Sequence, residues 1–325
     1  DSFIYGAGTA FSKGFGFILL PIYTRLFTPI EYGLIEIVTM TNVFLSLVLN
    51  MGLDASQSFY FFRLKKEGGK QKQAQLVTAI LQWRLSIGLL ITVLAVGISP
   101  LLNTLLFDTE LKLSVFAVSF AGTFFYQIAI QSAQVFQLLF RPWQFLGITF
   151  FQSISSAAIT IGLMIWIGMG FQSYFIGFSI GALFSALVGW WMARDYVDWS
   201  ASNIKLWPRI MKFGLPLVPA NLLFYVLDTS DRWFLGFYHG GLAIGVYAVG
   251  VKITLAIGLV VEPFRKAWNP LAMKSLQQND SHAFFSFMAR LYMGVGVAAV
   301  VILTAFSSPL IKWVTFPTYH NAYKA

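Results

Sequence analysis

Long apolar segments follow one another along most of the chain, and they limit the possible folds more than any other feature. A helix needs about 20 mostly apolar residues to cross roughly 30 Å of hydrocarbon. Backbone groups in hydrocarbon must be hydrogen-bonded within the protein. We therefore predict an all-α integral membrane protein with about nine transmembrane helices. The predicted spans lie at residues 3–26, 32–60, 76–99, 113–139, 145–168, 174–192, 212–236, 241–264 and 284–310.

The composition supports this prediction and excludes several other classes of protein. Only 11% of the residues are charged, against about 25% in soluble domains. The chain has no cysteine, and it shows no Ser/His/Asp set, cluster of metal ligands or phosphate-binding glycine loop. We therefore predict no catalytic residue, no metal and no cofactor. The net charge of +9 lies mostly in short loops, which argues against nucleic acid as a partner.

The charges of the loops predict how the spans are oriented. Lysine and arginine are concentrated in the loops that follow the second, fourth, sixth and eighth spans. Cytoplasmic loops carry this excess of positive charge, so we predict a multi-pass protein with a cytoplasmic N-terminus. The loops on the other side are very short, which leaves no room for an extracytoplasmic catalytic domain.

The longest polar break divides six spans from three. The first and seventh spans both contain proline and place an arginine near the outer end. Parallel repeats of this kind build transporters with a site between the halves. We predict an N-terminal six-helix lobe at residues 1–193, a cytoplasmic linker at 194–211 and the first half of a C-terminal lobe, helices seven to nine, at 212–325.

Four cations lie inside the apolar spans or near their ends: Lys13, Arg25, Arg232 and Lys252. A lone cation in hydrocarbon costs about 2.5–3.5 kcal/mol on insertion scales, so such a residue generally faces water, a counter-ion or a ligand. Guanidinium groups bind phosphate groups bidentately. The pattern therefore indicates a cationic cavity for an anion within the membrane.

Ion pairs inside the protein are the alternative role for these cations. Asp228 is the natural partner for Lys252, because their depths differ by only about 5 Å on adjacent helices. Asp231 and Asp228 can neutralise Arg232. Lys13 has no acid nearby in the sequence, which makes it the better candidate to contact a ligand.

Other charged residues leave further pairings open. Arg25 can meet Glu31 or Glu36. Arg84 and Asp54 lie closer to the cytoplasmic side. We predict that Arg84 is interfacial and that Asp54 caps a helix or forms a pair.

The fourth span carries a row of amide side chains at Gln127, Gln131 and Gln134. Steps of four and three residues keep this row within about 40° of one helical line. Such a row suits a water-filled wall or a sugar-binding surface, and the alternative is interhelical hydrogen bonding worth about 0.6 kcal/mol per contact. We predict that the row lines a cavity, together with Asn221 of the seventh span.

Short motifs occur in a fixed order along the chain. They are LLPIYTRLFTPIEYG at Leu19 to Gly33, FGLPLVPAN at Phe213 to Asn221, Asp231-Arg232, Gly245-Val246-Tyr247, Lys252 and Ala267-Trp268-Asn269-Pro270. In this order and spacing they resemble bacterial oligosaccharide flippases of the Wzx type. These flippases belong to the multidrug/oligosaccharidyl-lipid/polysaccharide (MOP) exporter superfamily.

The resemblance implies a fold and a function. The fold is a MATE/MOP-like two-lobe transporter with more helices than nine, so the second lobe is expected to be incomplete and the chain to be a fragment. The function is to move an undecaprenyl-pyrophosphate-linked oligosaccharide repeat unit from the cytoplasmic to the outer leaflet of the bacterial inner membrane by alternating access. It serves the synthesis of O-antigen, capsule or exopolysaccharide, with a polysaccharide polymerase and chain-length machinery as further partners.

The same resemblance suggests roles for the candidate residues. Arg25 and Arg232 would draw the pyrophosphate between the lobes, and Lys13 and Lys252 would hold it lower in the cavity. Coupling to Na⁺ or H⁺ is open, with Asp228 or Asp231 as carriers.

Four alternatives remain at this stage. A lipid II flippase of the same superfamily would share the cationic cavity. A multidrug cation antiporter would need acids in the first lobe, whereas the first span offers Lys13 and Arg25. A membrane glycosyltransferase or polymerase would need acids or a large loop outside. A scaffold without transport would have no water-accessible cavity.

Overall fold

A computed structural model describes residues 15–106, 111–199, 204–275 and 281–324. Side chains are described for these residues except 105–106, 254–275, 281–284 and 323–324. All regular structure in these ranges is helical. The longer helices are α1 (Phe15–Leu26), α2 (Pro29–Asn50), α3 (Leu53–Trp83), α4 (Leu89–Leu106), α5 (Leu113–Leu138), α6 (Pro142–Gly162), α7 (Gln172–Met192), α8 (Trp207–Gly214), α9 (Val218–Ser275) and α10 (Ser281–Val314).

The described helices confirm an all-α, multi-pass membrane protein. Six helical stretches are long and apolar enough to cross a membrane. Two of them, Pro29–Thr104 with 76 residues and Ile204–Ile253 with 50 residues, exceed the length of one crossing, which needs about 20 residues. The helical dihedrals break within these stretches at Gly68, Gly69 and Gly240. The count of nine spans stays a prediction.

Helix α2 has well-defined ends that fix its position. Its N-terminus is a capping box, in which the Thr28 hydroxyl accepts a hydrogen bond from the backbone N–H of Glu31 and the Glu31 carboxylate accepts one from the backbone N–H of Thr28. Pro29 follows directly as the first helical residue. At the other end, Met51 and Gly52 adopt left-handed conformations that stop the helix. Glu31 is therefore a capping residue.

Close backbone contacts join the two ends of α2 to the second half of the chain. A Cβ atom on Gly33 would lie 1.9 Å from the carbonyl oxygen of Gly241. At the opposite end, a Cβ atom on Gly52 would lie 2.2 Å from the carbonyl oxygen of Gly214. Only glycine permits this approach, and small residues allow membrane helices to pack this closely. Helix α2 thus runs along α9 and the segment before it.

An apolar cluster covers the Pro29 end of α2. It combines residues from α1 and α2 with others from α9, α10 and the 3-10 helix Pro317–Lys324. The hydroxyl of Tyr319 donates a 2.8 Å hydrogen bond to the backbone carbonyl of Phe27, and the rings of Tyr319 and Tyr32 meet edge to face. Both halves of the chain therefore contribute to this closed end.

Small residues hold α5, α6 and α7 together. Cβ atoms on Gly177 and Gly181 of α7 would lie 2.2 Å from the hydroxyls of Thr160 and Ser156 on α6. A Cβ atom on Gly122 of α5 would lie 2.4 Å from the Ser179 hydroxyl. This packing forms a compact frame on which α2 and α4 rest.

Candidate functional site

Glu36 of α2 lies where two cations of α9 converge. The Lys252 ammonium is 2.5 Å from Oε1 of Glu36, and Nη1 of Arg232 is 3.9 Å from Oε2. The Glu36 side chain is only 7% exposed. Lys252 also donates a 2.7 Å hydrogen bond to the hydroxyl of Tyr32. We call Tyr32, Glu36, Arg232 and Lys252 the Glu36 cluster.

Local helical geometry explains this arrangement. Tyr32 and Glu36 are one turn apart, so both lie on the face of α2 that packs against α9. In α9, Gly240 has φ 72° and ψ −177°, which redirects the helix between Arg232 and Lys252. Both arms of α9 contact α2, so their cations meet the same carboxylate. The cluster carries two positive charges and one negative charge.

The expected partnership of Lys252 with Asp228 is wrong. Lys252 instead pairs with Glu36, which the sequence analysis had considered only for Arg25. Asp228 has a depth similar to that of Lys252 on the neighbouring span, but depth does not fix which way a side chain faces: Asp228 is exposed, whereas Glu36 lies on the face of α2 that packs against α9.

The remaining candidate residues occupy different positions. Asp231 accepts hydrogen bonds from the Tyr247 hydroxyl and from the backbone N–H of Arg232. Arg25 is exposed near the end of α1, and Asn221 is exposed near the start of α9. Lys13 lies outside the described residues. Of the three predicted cations that the structure describes, Arg232 and Lys252 therefore lie together and Arg25 lies apart from them.

A cavity of about 340 Å³ adjoins the Glu36 cluster. Its walls come from Ile37 and Met40 of α2 and from residues of α9 that include Arg232 and Trp233. The Nε atom of Arg232 is buried and has no hydrogen-bond partner in the described part of the chain. Arg232 therefore presents an unused donor beside a cavity, whereas the Lys252 ammonium is held by Glu36 and Tyr32.

Comparison with known proteins places the chain in a family. Residues 1–276 match the family model described as "Polysaccharide biosynthesis protein". The chain belongs to this family. The predicted relationship is confirmed, since the match covers most of the sequence.

One relative and one solved structure extend this assignment. The polysaccharide biosynthesis chain is 26% identical over 306 residues to "Lsg locus putative protein 1" of Haemophilus influenzae, covering 89% of the chain and 71% of that protein. Its fold matches a structure titled as the inward-facing conformation of a multidrug resistance MATE family transporter of the MOP superfamily, with a TM-score of 0.68. That match has 15% identity and covers 97% of the chain and 79% of the solved one. The MATE-like fold is therefore confirmed.

The prediction that the glutamine row of α5 lines a cavity is wrong. Gln127 and Gln131 are buried, and Gln134 is partly buried. Their amide nitrogens donate to the backbone carbonyls of Ser46, Val77 and Asp54, respectively. The row faces α2 and α3, so its amides serve interhelical hydrogen bonding, the alternative that the pattern had left open.

A buried ion pair lies beside this row. Arg84 is 2% exposed and lies in a π-helical turn at Arg84–Gly88. Its Nη2 atom is 2.7 Å from Oδ1 of Asp54, and its Nη1 atom donates to the backbone carbonyl of Gln127 at 2.9 Å. The prediction that Arg84 is interfacial is wrong, and the prediction that Asp54 forms a pair is confirmed.

Replacing Arg84 by methionine is expected to destabilise the protein by about 3 kcal/mol, because it leaves the Asp54 charge without its partner. The side chain of Asp54 is 35% exposed, which keeps the effect at the lower end of the range for buried pairs. The measurement is the midpoint temperature of thermal unfolding in detergent, with size-exclusion chromatography reporting how much folded protein remains after heating. The Arg84→Met, Asp54→Asn double variant serves as the control, and we expect it to lose less stability than Arg84→Met alone. A single variant as stable as the natural protein would show that the pair has no structural role.

Proposed function

We propose that this polysaccharide biosynthesis protein is a flippase that moves an undecaprenyl-pyrophosphate-linked oligosaccharide repeat unit across the bacterial inner membrane. The single observation that carries the proposal is the Glu36 cluster. Its two cations share one carboxylate between the two halves of a MATE-like fold. The membership of a polysaccharide biosynthesis family supports the class of substrate.

The charge balance of the cluster suits an anionic head group. One positive charge remains after Glu36 has neutralised the other. A positive charge at membrane depth is costly unless a ligand or water compensates it. A pyrophosphate supplies negative charge and several acceptor oxygens, which a guanidinium group binds in a bidentate manner.

The two contacts of Glu36 give Arg232 and Lys252 different roles. Lys252 is held tightly by Glu36, at 2.5 Å, whereas Arg232 lies 3.9 Å from the same carboxylate. Arg232 also faces the adjoining cavity. We therefore assign head-group binding to Arg232, and we assign to Lys252 the task of keeping Glu36 in place. Glu36 acts as an internal anion that the pyrophosphate displaces from Arg232.

Alternating access requires the two ends of α2 to separate from the second half in turn. One set of contacts lies at Gly33 and Tyr319, and the other lies at Gly52. With the N-terminus cytoplasmic, as the loop charges predict, the first set closes the outer side. We propose that Arg25, exposed near this end, and Lys13 contact the head group at other stages of the cycle.

The membrane potential supplies a driving force in the required direction. An inside-negative potential favours outward movement of an anion by about 2.3 kcal/mol per charge per 100 mV. Asp228 and Asp231 remain the proposed carriers if Na⁺ or H⁺ is coupled to transport. A polysaccharide polymerase and its chain-length machinery are the proposed partners on the outer side.

Complementation tests the proposal directly. Expression of the full-length protein in bacterial strains that each lack one defined oligosaccharide flippase is expected to restore one surface glycan. The measurement is the glycan that returns to the cell surface. Rescue of a strain that lacks its lipid II flippase would favour the alternative flippase. Drug resistance without any restored glycan would favour an antiporter and contradict the proposal.

A further inference from the structure

A second cavity, of about 530 Å³, runs between the two halves of the chain, and we call it the groove. It lies beside the 340 Å³ cavity lined by Arg232, which we call the head-group cavity. The surface that the walls of the groove expose is apolar, and the groove opens towards the surface of the helices. Helices α2, α4 and α9 supply most of its walls. Six residues mark its course: Phe44 and Val48 of α2, Leu94 and Ile98 of α4, and Tyr225 and Trp233 of α9.

The few polar side chains on these walls have partners elsewhere. The hydroxyl of Tyr225 donates a 3.0 Å hydrogen bond to the backbone carbonyl of Met40. The hydroxyl of Thr41 donates a 3.0 Å hydrogen bond to the backbone carbonyl of Ile37. The groove therefore offers a ligand only apolar contacts, which suits a hydrocarbon chain.

Trp233 connects this groove to the positively charged site. It lines both the groove and the cavity that contains Arg232. On α2, the wall passes without interruption from Ile37 and Met40 in the cavity to Thr41 in the groove. A molecule with an anionic head and an apolar chain could occupy both, with its head at Arg232.

We propose that this groove binds the first isoprene units of a polyprenyl pyrophosphate, whose phosphates contact Arg232. This inference rests on the proposed function, and it adds a site for the lipid. From Thr41 to Val48 the groove follows α2 for about 10 Å, at 1.5 Å per residue, which is the length of about two isoprene units. The rings of Phe44, Tyr225 and Trp233 line the groove and offer large apolar surfaces against which such a chain can pack.

The groove also explains how one lipid contacts both halves. Its walls on α2 and α4 belong to the first half, and Tyr225 and Trp233 belong to the second. The aromatic rings of Phe44 and Tyr225 lie 5.9 Å apart across this boundary. Separation of the halves would open the groove, so release of the lipid is tied to the movement that exposes its head group.

Ligand binding to the purified full-length protein in nanodiscs tests the groove. The probes are farnesyl pyrophosphate, dodecyl pyrophosphate, whose unbranched chain has the same length, and inorganic pyrophosphate. We expect farnesyl pyrophosphate to bind about tenfold more tightly than inorganic pyrophosphate, because its chain removes apolar surface from water. Dodecyl pyrophosphate is expected to bind more weakly than farnesyl pyrophosphate.

Two matched variants of α4 test whether the groove causes the tighter binding of farnesyl pyrophosphate. Ile98→Trp fills the groove, whereas Val93→Trp places the same side chain on the opposite face, and the two positions are similarly exposed at 54% and 59%. We expect Ile98→Trp to bring the affinity for farnesyl pyrophosphate to within about twofold of that for inorganic pyrophosphate. Val93→Trp is expected to keep the tenfold difference. Unchanged binding of inorganic pyrophosphate to Ile98→Trp would show that this variant is folded.

The outcomes separate the groove from the proposed function. If the natural protein binds inorganic pyrophosphate and the farnesyl chain adds nothing, the groove proposal fails alone. Equal binding of dodecyl and farnesyl pyrophosphate would also overturn it, because the site would then accept any alkyl chain. If no pyrophosphate probe binds, the function proposed for Arg232 fails together with it.

Discussion

Replacing Arg232 by glutamine will abolish display of the surface polysaccharide in cells that depend on this protein, while its level in the membrane is maintained. Arg232 faces the head-group cavity and holds a buried Nε atom without a hydrogen-bond partner in the described residues. Each charge-assisted hydrogen bond to a pyrophosphate contributes about 1.5–3 kcal/mol. Loss of two such bonds lowers affinity by about 100-fold or more. The protein stays folded because Glu36 keeps its shorter contact with Lys252.

Two further variants make this result specific. Arg232→Lys keeps the charge without the planar fork, so we expect partial display. Arg290→Gln removes an exposed arginine from α10, and we expect full display from it. The measurements are polysaccharide on the cell surface and the amount of protein in isolated membranes. Full display by the Arg232→Gln variant would remove this residue from the mechanism.

The general fold could be predicted from the sequence because the membrane imposes strong local rules. Apolar length alone indicated helical spans, and glycine and proline indicated where they are interrupted. Two adjacent glycines, Gly68 and Gly69, are a turn signal of this kind, and the helical dihedrals break at both residues. The motifs from Leu19 to Gly33 and from Phe213 to Asn221 led to the correct family, which the match over residues 1–276 confirms.

The partners of buried polar residues could not be predicted, because they depend on how helices pack. The stripe of Gln127, Gln131 and Gln134 was recognised correctly, since it follows from helical periodicity. Which neighbour covers the stripe depends on the packing of α5 against α2 and α3, and one sequence does not contain that information. Lys252 presents the same difficulty, because its carboxylate lies on α2. The sequence did contain one indication of this partner, because Glu36 is an acid inside an apolar run of α2.

The balance of charge in the Glu36 cluster leads to a second large effect, which three glutamine variants will show. Glu36→Gln leaves both cations without their carboxylate, Lys252→Gln leaves a cluster with no surplus charge, and the double variant keeps the single charge of Arg232. We therefore expect pyrophosphate to bind most tightly to Glu36→Gln, equally to the natural protein and the double variant, and most weakly to Lys252→Gln. The measurement is equilibrium binding of inorganic pyrophosphate to purified full-length protein.

The free energy of unfolding should rank these variants in a different order from their affinity for pyrophosphate. The two measurements are therefore independent. Glu36→Gln leaves Lys252 without its carboxylate, at a cost of about 3 kcal/mol, whereas Lys252→Gln leaves Glu36 its longer contact with Arg232 and should cost less. The double variant removes both charges, so it should lose less than the sum of the single changes. If the double variant is stable but no longer binds pyrophosphate, Lys252 must contact the ligand directly. The surplus-charge model, in which Glu36 holds Lys252 and the ligand takes Arg232, would then be wrong.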